Sequence, residues 1–185
     1  MAMGGSARST MYSKAKVFGH PLHPVLVSFP VAFYTTTAVA YLSYAATGKL
    51  FCFQVGVVAN VAGVLTAVLA AVPGFIDWRW GVPGGHPAKS MGLLHMGLNV
   101  TTLVLATVNA AVQIHKWSDI APTAGLAVVF SILCLFATAL AGYLGGELVQ
   151  RHHVGIDLTP EQSRLDVGAH ARITDNSSPS GRWLS

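Results

Sequence analysis

Four long apolar runs account for most of the chain, and short segments rich in polar residues, glycine or proline separate them. The runs cover about residues 24–47, 51–72, 91–114 and 122–146, and none of them contains a charged side chain near its middle. An α-helix of about 20 apolar residues is long enough to cross the roughly 30 Å hydrocarbon core of a bilayer. The pattern therefore predicts four transmembrane helices.

The short connections between the runs favour antiparallel neighbours. We therefore predict an all-α integral membrane protein, a four-helix bundle of up-down-up-down topology with both termini on the same side. The transmembrane domain is assigned to residues 19–156. Residues 1–18 are expected to form a flexible segment, and residues 157–185 a polar, mostly disordered tail in which Thr159 and Gln162 indicate a short capped helix.

Prolines are expected to shape the first two spans. Pro30 lies inside the first run and predicts a kink, which membrane helices tolerate when neighbouring groups satisfy the freed carbonyl. The second run is expected to stop at Pro73, with Trp78 and Trp80 following at the membrane interface.

Composition supports the membrane interpretation and excludes other classes. The chain is 52% hydrophobic and only 10% charged, whereas soluble domains carry about 25% charged residues. The formal net charge of +4 comes from scattered cations without a basic stripe, so no nucleic acid partner is expected. We therefore expect the lipid bilayer to surround the protein.

The positive charges are distributed unequally between the two membrane faces. Of the 11 lysines and arginines, only Lys49 and Lys116 lie in the connections opposite the termini. The positive-inside rule then places both termini and the central loop in the cytoplasm, as for a multi-pass protein of the inner membrane.

Histidines and carboxylates concentrate at the membrane face that carries the termini. His20 and His23 lie in the segment Gly19-His20-Pro21-Leu22-His23-Pro24, and because proline follows each of them, both are expected in extended backbone with their rings along one edge. Alternating span directions bring further polar groups to the same face, namely Asp77, His86, His95, Glu147, His152 and His153. Such groups at the border of a bilayer indicate a functional site.

Four separated motifs, GHPLHP, G-x-x-D-W, Leu-Leu-His and GGELVxRHxVG, resemble those of a bacterial four-helix membrane family known only as a domain of unknown function. They occupy Gly19 to Pro24, Gly74 to Trp78, Leu93 to His95 and Gly145 to Gly155. Where relatives commonly carry Tyr-Arg-His-Gly, this chain has Gln150-Arg151-His152-His153. Some relatives are fused to iron–sulfur or cytochrome modules, so the resemblance implies proximity to electron transfer.

The favoured hypothesis is a b-type haem bound for electron transfer. His95 would supply one axial ligand and His23 or His20 the other, since bundle cores are where such sites are built. His152 belongs to the same candidate site, and Arg151 or Arg79 would meet the propionates. A redox partner protein is then implied.

Two alternatives remain open at this stage. A non-haem metal could be bound by His20, His23, His95 and His152 together with Asp77 or Glu147. A cofactor-free structural network could instead join the helix ends. A classical enzyme is not indicated, and transport finds little support because no charge lies near the middle of a span. The spacing of Gly142 and Gly146 is compatible with a homodimer.

Overall fold

The computed structural model describes residues 11–156, 159, 161–162 and 164–165. Two short strands precede a set of long helices, and a π-helical turn at Asp77–Gly81 follows the third helix. In chain order the elements are β1 Lys16–Val17, β2 His20–Pro21, α1 Leu22–Leu26, α2 Ser28–Thr47, α3 Leu50–Ile76, α4 Pro87–Ile114 and α5 Gly125–Gln150.

Four helical stretches are long and apolar enough to cross a membrane, which confirms the predicted all-α architecture of four spans. They are Leu22–Thr47, Leu50–Gly81, Pro87–Ile114 and Gly125–Gln150. Large apolar side chains such as Leu65, Leu69 and Phe136 are exposed on the outer surface of the bundle. A bilayer can cover this surface, because its hydrocarbon core is as apolar as these side chains.

The bundle consists of two helical hairpins. Helix α2 packs mainly on α3, and α4 mainly on α5, while the α2–α5 and α3–α4 contacts join the two hairpins. Helices α2 and α4 are therefore diagonal partners across the bundle axis. We call the end of the bundle where α1 and α4 begin the histidine end.

The two hairpins repeat one another in their buried positions, which relates them by an approximate two-fold axis along the bundle. Counted from His23 in the first hairpin and from His95 in the second, the buried residues of α2 and α4 recur at the same intervals. Those of α3 and α5 recur at the same intervals when they are counted from Ala70 and from Ala141. Buried Pro30, Tyr34, Thr37 and Tyr41 of α2 match Thr102, Ala106, Asn109 and Gln113 of α4. Buried Gly56, Asn60, Gly63 and Ala70 of α3 match Ala127, Ser131, Cys134 and Ala141 of α5.

The first span is interrupted near the predicted proline. Helices α1 and α2 meet at Val27, one turn before Pro30. Pro30 has no N–H to offer the carbonyl of Leu26, so the regular hydrogen-bond ladder is broken there.

The second span does not end before Pro73 as predicted. Pro73 is buried inside α3, which continues to Ile76 and into the π-helical turn. The carbonyls at this end are satisfied from the next helix, because Lys89 Nζ donates to the carbonyl oxygens of Trp78 and Val82. These bonds satisfy the end of the span, whereas the carbonyl freed by Pro73 is that of Leu69, four residues before it.

Residues 11–17, predicted to be flexible, form an ordered N-terminal strap instead. The β1–β2 hairpin turns at Phe18 and Gly19, both of which have positive φ. Met11 is buried against Val82 and Leu148, and its carbonyl accepts from the N–H of Gly155 at 2.7 Å. The prediction of flexibility for residues 1–10 lies outside the described residues.

The tail from Ile156 onward forms a separate unit. Thr159 and Gln162 exchange two hydrogen bonds, the N–H of Thr159 donating to Oε1 of Gln162 at 2.9 Å and the N–H of Gln162 to Oγ1 of Thr159 at 3.2 Å. This is the predicted helix cap. The predicted disorder of the remaining tail falls outside the described residues.

Candidate functional site

Two histidines from different hairpins meet at the histidine end. The ring centroids of His23 on α1 and His95 on α4 are 6.2 Å apart, and the ring planes are nearly perpendicular at 89°. Both residues are half-buried. We call these two residues the histidine pair.

His23 is held by α3 of its own hairpin. Its Nδ1 lies 2.9 Å from the carbonyl oxygen of Ala70. The ring rests on Gly74, where a Cβ would come within 2.7 Å of its Cε1 and Nδ1 atoms. A side chain at position 74 would therefore displace the ring.

His95 is held in the same way by α5. Its Nδ1 lies 2.8 Å from the carbonyl oxygen of Ala141, and a Cβ at Gly145 would come within 3.2 Å of its Cε1. In both hairpins the accepting carbonyl lies one helical turn before the glycine. The approximate two-fold axis of the bundle thus relates His23 to His95.

These hydrogen bonds determine which ring nitrogen carries the proton. A backbone carbonyl can only accept, so Nδ1 of each ring is the donor and Nε2 keeps its lone pair. On His95 that lone pair faces Nδ2 of Asn99 at 3.2 Å, while Nε2 of His23 has no hydrogen-bond partner within the described ranges. A neutral imidazole with a free Nε2 is in the form that binds metals.

The structure does not place His20 beside His23. His20 lies in strand β2 as expected, but it is exposed and its Nδ1 bonds the nearby carbonyl of Phe18 at 3.0 Å. The prediction of extended backbone is wrong for His23, which lies in α1. Pro24 is tolerated there because the first turn of a helix has no intrahelical acceptor for its N–H.

His86 and His152 form a second ring contact, with centroids 5.6 Å apart. His86 is the N-cap of α4, and its Nδ1 accepts from the N–H of Ala88 at 3.1 Å. His153 has a positive φ of 54° just after α5 ends. These residues thus shape the ends of α4 and α5.

The carboxylates of Asp77 and Glu147 bind residues other than the histidine pair. Asp77 anchors the N-terminal strap: its Oδ1 accepts from the N–H of Lys14 at 2.6 Å and of Ala15 at 3.0 Å, and Ser13 Oγ donates to Oδ2 at 2.9 Å. Glu147 pairs with Arg151 at 3.4 Å, one turn along α5.

The two arginines proposed for the propionates lie at the surface. The Arg151 side chain is 73% exposed, and the guanidinium of Arg79 lies 5.8 Å from the ring centroid of Trp80. Arg151 pairs with Glu147 and Arg79 lies over Trp80, so neither guanidinium contacts the histidine pair.

The polar groups of this face thus divide into separate clusters instead of one ring. Among the described residues, no group of three or more His, Cys, Asp or Glu side chains is positioned to hold a metal ion. Sequence reasoning missed the two carbonyl acceptors, the roles of Gly74 and Asn99, and the attachment of Ser13 to Asp77. Only the glycines left a signal, since Gly74 and Gly145 occupy matching positions in the two hairpins.

Comparison with curated proteins and with solved structures found no significant match. A family model described as "Predicted membrane protein (DUF2231)" matches residues 19–158. The match covers the whole helical bundle and most of the chain. It confirms the resemblance carried by the four sequence motifs, and the chain therefore belongs to the DUF2231 family of predicted membrane proteins.

Proposed function

We propose that the histidine pair binds one b-type haem and that the protein transfers electrons at the membrane. The observation that carries this proposal is the separation of the two rings. Two imidazoles that bind one metal ion from opposite sides, each through a metal–nitrogen bond of about 2 Å, have ring centres about 6 Å apart. The rings of His23 and His95 are separated by 6.2 Å.

The number of ligands favours haem over a bare metal ion. Zinc in a structural site takes four protein ligands, and in a catalytic site it takes three. The described residues offer two histidines and no third ligand near them. A haem brings four nitrogens of its own, so two axial imidazoles complete its coordination.

The surroundings of each ring also suit a ligand. Ligating histidines almost always donate their other N–H to a carbonyl, carboxylate or water, which fixes the ring and raises its basicity. Ala70 and Ala141 supply such carbonyls. Asn99 covers Nε2 of His95, and because its side chain is exposed it can turn away when a ligand binds.

The position of the histidine pair also suggests which residues contact the propionates and where a redox partner binds. Arg79 and Arg151 lie at the histidine end, where haem propionates would meet them. With the positive-inside orientation this end faces the cytoplasm, and a soluble redox partner would approach it there. His20, His152, Asp77 and Glu147 are not ligands in this proposal, because each is engaged outside the pair or lies at the surface.

The competing hypothesis is a cofactor-free clamp, in which His23 ties α1 to α3 and His95 ties α4 to α5. Both hypotheses predict that alanine at either position weakens the bundle. Only the haem hypothesis predicts that a bound chromophore is lost.

The test is the haem content of variants purified from a haem-replete host, measured by the pyridine haemochrome. His23→Ala and His95→Ala should each lose the low-spin spectrum, whereas His20→Ala should keep it as the matched control. Retention of full haem by His95→Ala would refute the proposal. A His95→Met variant is the control for misfolding. Methionine can also bind haem iron, so this variant should retain haem with an altered spectrum.

A further inference from the structure

The half of the bundle opposite the histidine pair contains a second set of polar side chains. Tyr34 and Tyr41 of α2 and Asn109 and Gln113 of α4 are buried between the helices, with exposures of 3%, 0%, 1% and 0%. None is charged. We call these four residues the polar core cluster.

The polar atoms of this cluster lack partners. Within the described part of the chain, the hydroxyl oxygens of Tyr34 and Tyr41 make no hydrogen bond. The side-chain amide nitrogen and oxygen of Asn109 and of Gln113 make none either. Nearby buried groups of the same kinds are satisfied: Asn60 Nδ2 donates to the carbonyl of Ala106 at 3.1 Å, and Tyr44 OH donates to the carbonyl of Pro122 at 2.8 Å. The absence of partners is therefore particular to the cluster.

The approximate two-fold axis explains why these groups lie opposite one another. Tyr41 and Gln113 are equivalent positions of the two hairpins, and Asn109 is equivalent to buried Thr37. Helices α2 and α4 are diagonal partners, and the four side chains are buried between the helices. Surrounding lipid cannot reach these atoms to satisfy them.

We propose that the polar core cluster binds internal water molecules along the bundle axis. A suitable ligand must both donate and accept hydrogen bonds, because the cluster offers amide N–H groups, amide oxygens and hydroxyls. It must also be small and neutral, since no charged group faces it. Water meets these requirements, and a buried water typically makes about three hydrogen bonds to polar groups that lack other partners.

This inference is independent of the haem proposal, because it concerns the other half of the bundle. It places water between buried side chains of the membrane domain. The helices must separate slightly to admit water, since the side chains are closely packed in the described conformation.

The test is radiolytic footprinting of the full-length protein in nanodiscs, with ¹⁸O-labelled water. Hydroxyl radicals formed from bound water oxidise adjacent tyrosine rings, and mass spectrometry locates the label. Tyr34 and Tyr41 should be labelled several-fold faster than Tyr44, although Tyr44 at 8% is more exposed. Equal or slower labelling of Tyr34 and Tyr41 would overturn the proposal.

A double variant identifies the water partners. Asn109→Leu combined with Gln113→Leu should lower the labelling of Tyr34 and Tyr41 to the level of Tyr44, whereas Asn60→Leu, which removes a satisfied amide, should leave it unchanged. Unchanged labelling in a folded double variant would overturn the assignment of the two amides. If that variant does not fold, the wild-type comparison of Tyr34 and Tyr41 with Tyr44 decides the proposal.

Discussion

His23 and His95 are equivalent residues of two repeated hairpins, and their rings meet at 6.2 Å beside the approximate two-fold axis. Each ring donates Nδ1–H to a carbonyl of the neighbouring helix in its own hairpin. The two hairpins thereby contribute one imidazole each to the histidine pair. The first predictions below test the contacts that hold these two rings.

Glycine substitutions beneath the rings should have graded effects. Gly74→Ala places a Cβ 2.7 Å from His23, and Gly145→Ala places one 3.2 Å from His95. Overpacking of a closely packed site costs about 1–3 kcal/mol, so we expect Gly74→Ala to lower both thermal stability and haem content more than Gly145→Ala.

Gly146→Ala is the matched control, because nothing lies within 4 Å of its added Cβ. It should be neutral or slightly stabilising, since alanine in a helix is favoured over glycine by about 1 kcal/mol. Thermal unfolding in detergent measures all three variants. Similar losses for Gly146→Ala and Gly74→Ala would show that the rings do not rest on their glycines.

Neutralisation of Asp77 should release the N-terminal strap. Asp77 accepts hydrogen bonds from Ser13, Lys14 and Ala15, and a hydrogen bond to a charged group contributes roughly 1.5–3 kcal/mol when buried. Because Asp77 is only half-buried, we expect the lower end of this range for each bond. Asp77→Asn should therefore increase tryptic cleavage after Lys14 and Lys16.

Glu147→Gln provides the comparison for that experiment. It removes only the exposed pair with Arg151, and such pairs contribute about 0–1 kcal/mol. Its cleavage rate should match that of the wild type. If Asp77→Asn is equally resistant, the negative charge of Asp77 does not contribute to anchoring the strap.

The repeated hairpins should assemble from separate polypeptides. Residues 1–83 and 84–185, expressed together, each contain one complete hairpin and one histidine of the pair. We expect an affinity tag on one half to retain the other, because α2–α5 and α3–α4 contacts join the hairpins. Failure of the halves to co-purify from the membrane would argue against two hairpins as the units of the fold.

The orientation in the membrane can be tested with single cysteines. In a Cys52→Ser, Cys134→Ser background, Asp119→Cys should react with a membrane-impermeant maleimide in intact spheroplasts. Gly84→Cys should react only after the membrane is opened, because the positive-inside rule places the loop between α3 and α4 in the cytoplasm. The reverse labelling pattern would contradict this orientation.

The spans could be predicted because the bilayer imposes their length and composition. The ends of the spans were harder to predict from the sequence. Helix α3 continues past Pro73 into the π-helical turn, where carbonyls of Trp78 and Val82 accept from Lys89 of another helix. The strap was missed for a related reason, since it is fixed by backbone N–H groups that bond Asp77 and carry no side-chain pattern.

The residues of the predicted site lie at one end of the bundle, but the structure divides them into separate clusters. Alternating span direction gives the membrane level of a residue, while the rotation of each helix decides which residues meet. Thus His23 and His95 come together, whereas His20 stays on the β-hairpin. The matching buried positions of the two hairpins carry different residue types, such as Tyr41 and Gln113, so the equivalence of His23 and His95 became apparent only from the structure.

The most direct test of a haem bound between His23 and His95 is the visible spectrum of the wild-type protein, air-oxidised and then reduced with dithionite. The account predicts a low-spin b-type spectrum at one haem per chain, with a Soret band that shifts on reduction and sharp α and β bands. A flat spectrum from protein made in a haem-replete host would contradict it, and would leave the histidine pair as a cofactor-free clamp within the two hairpins.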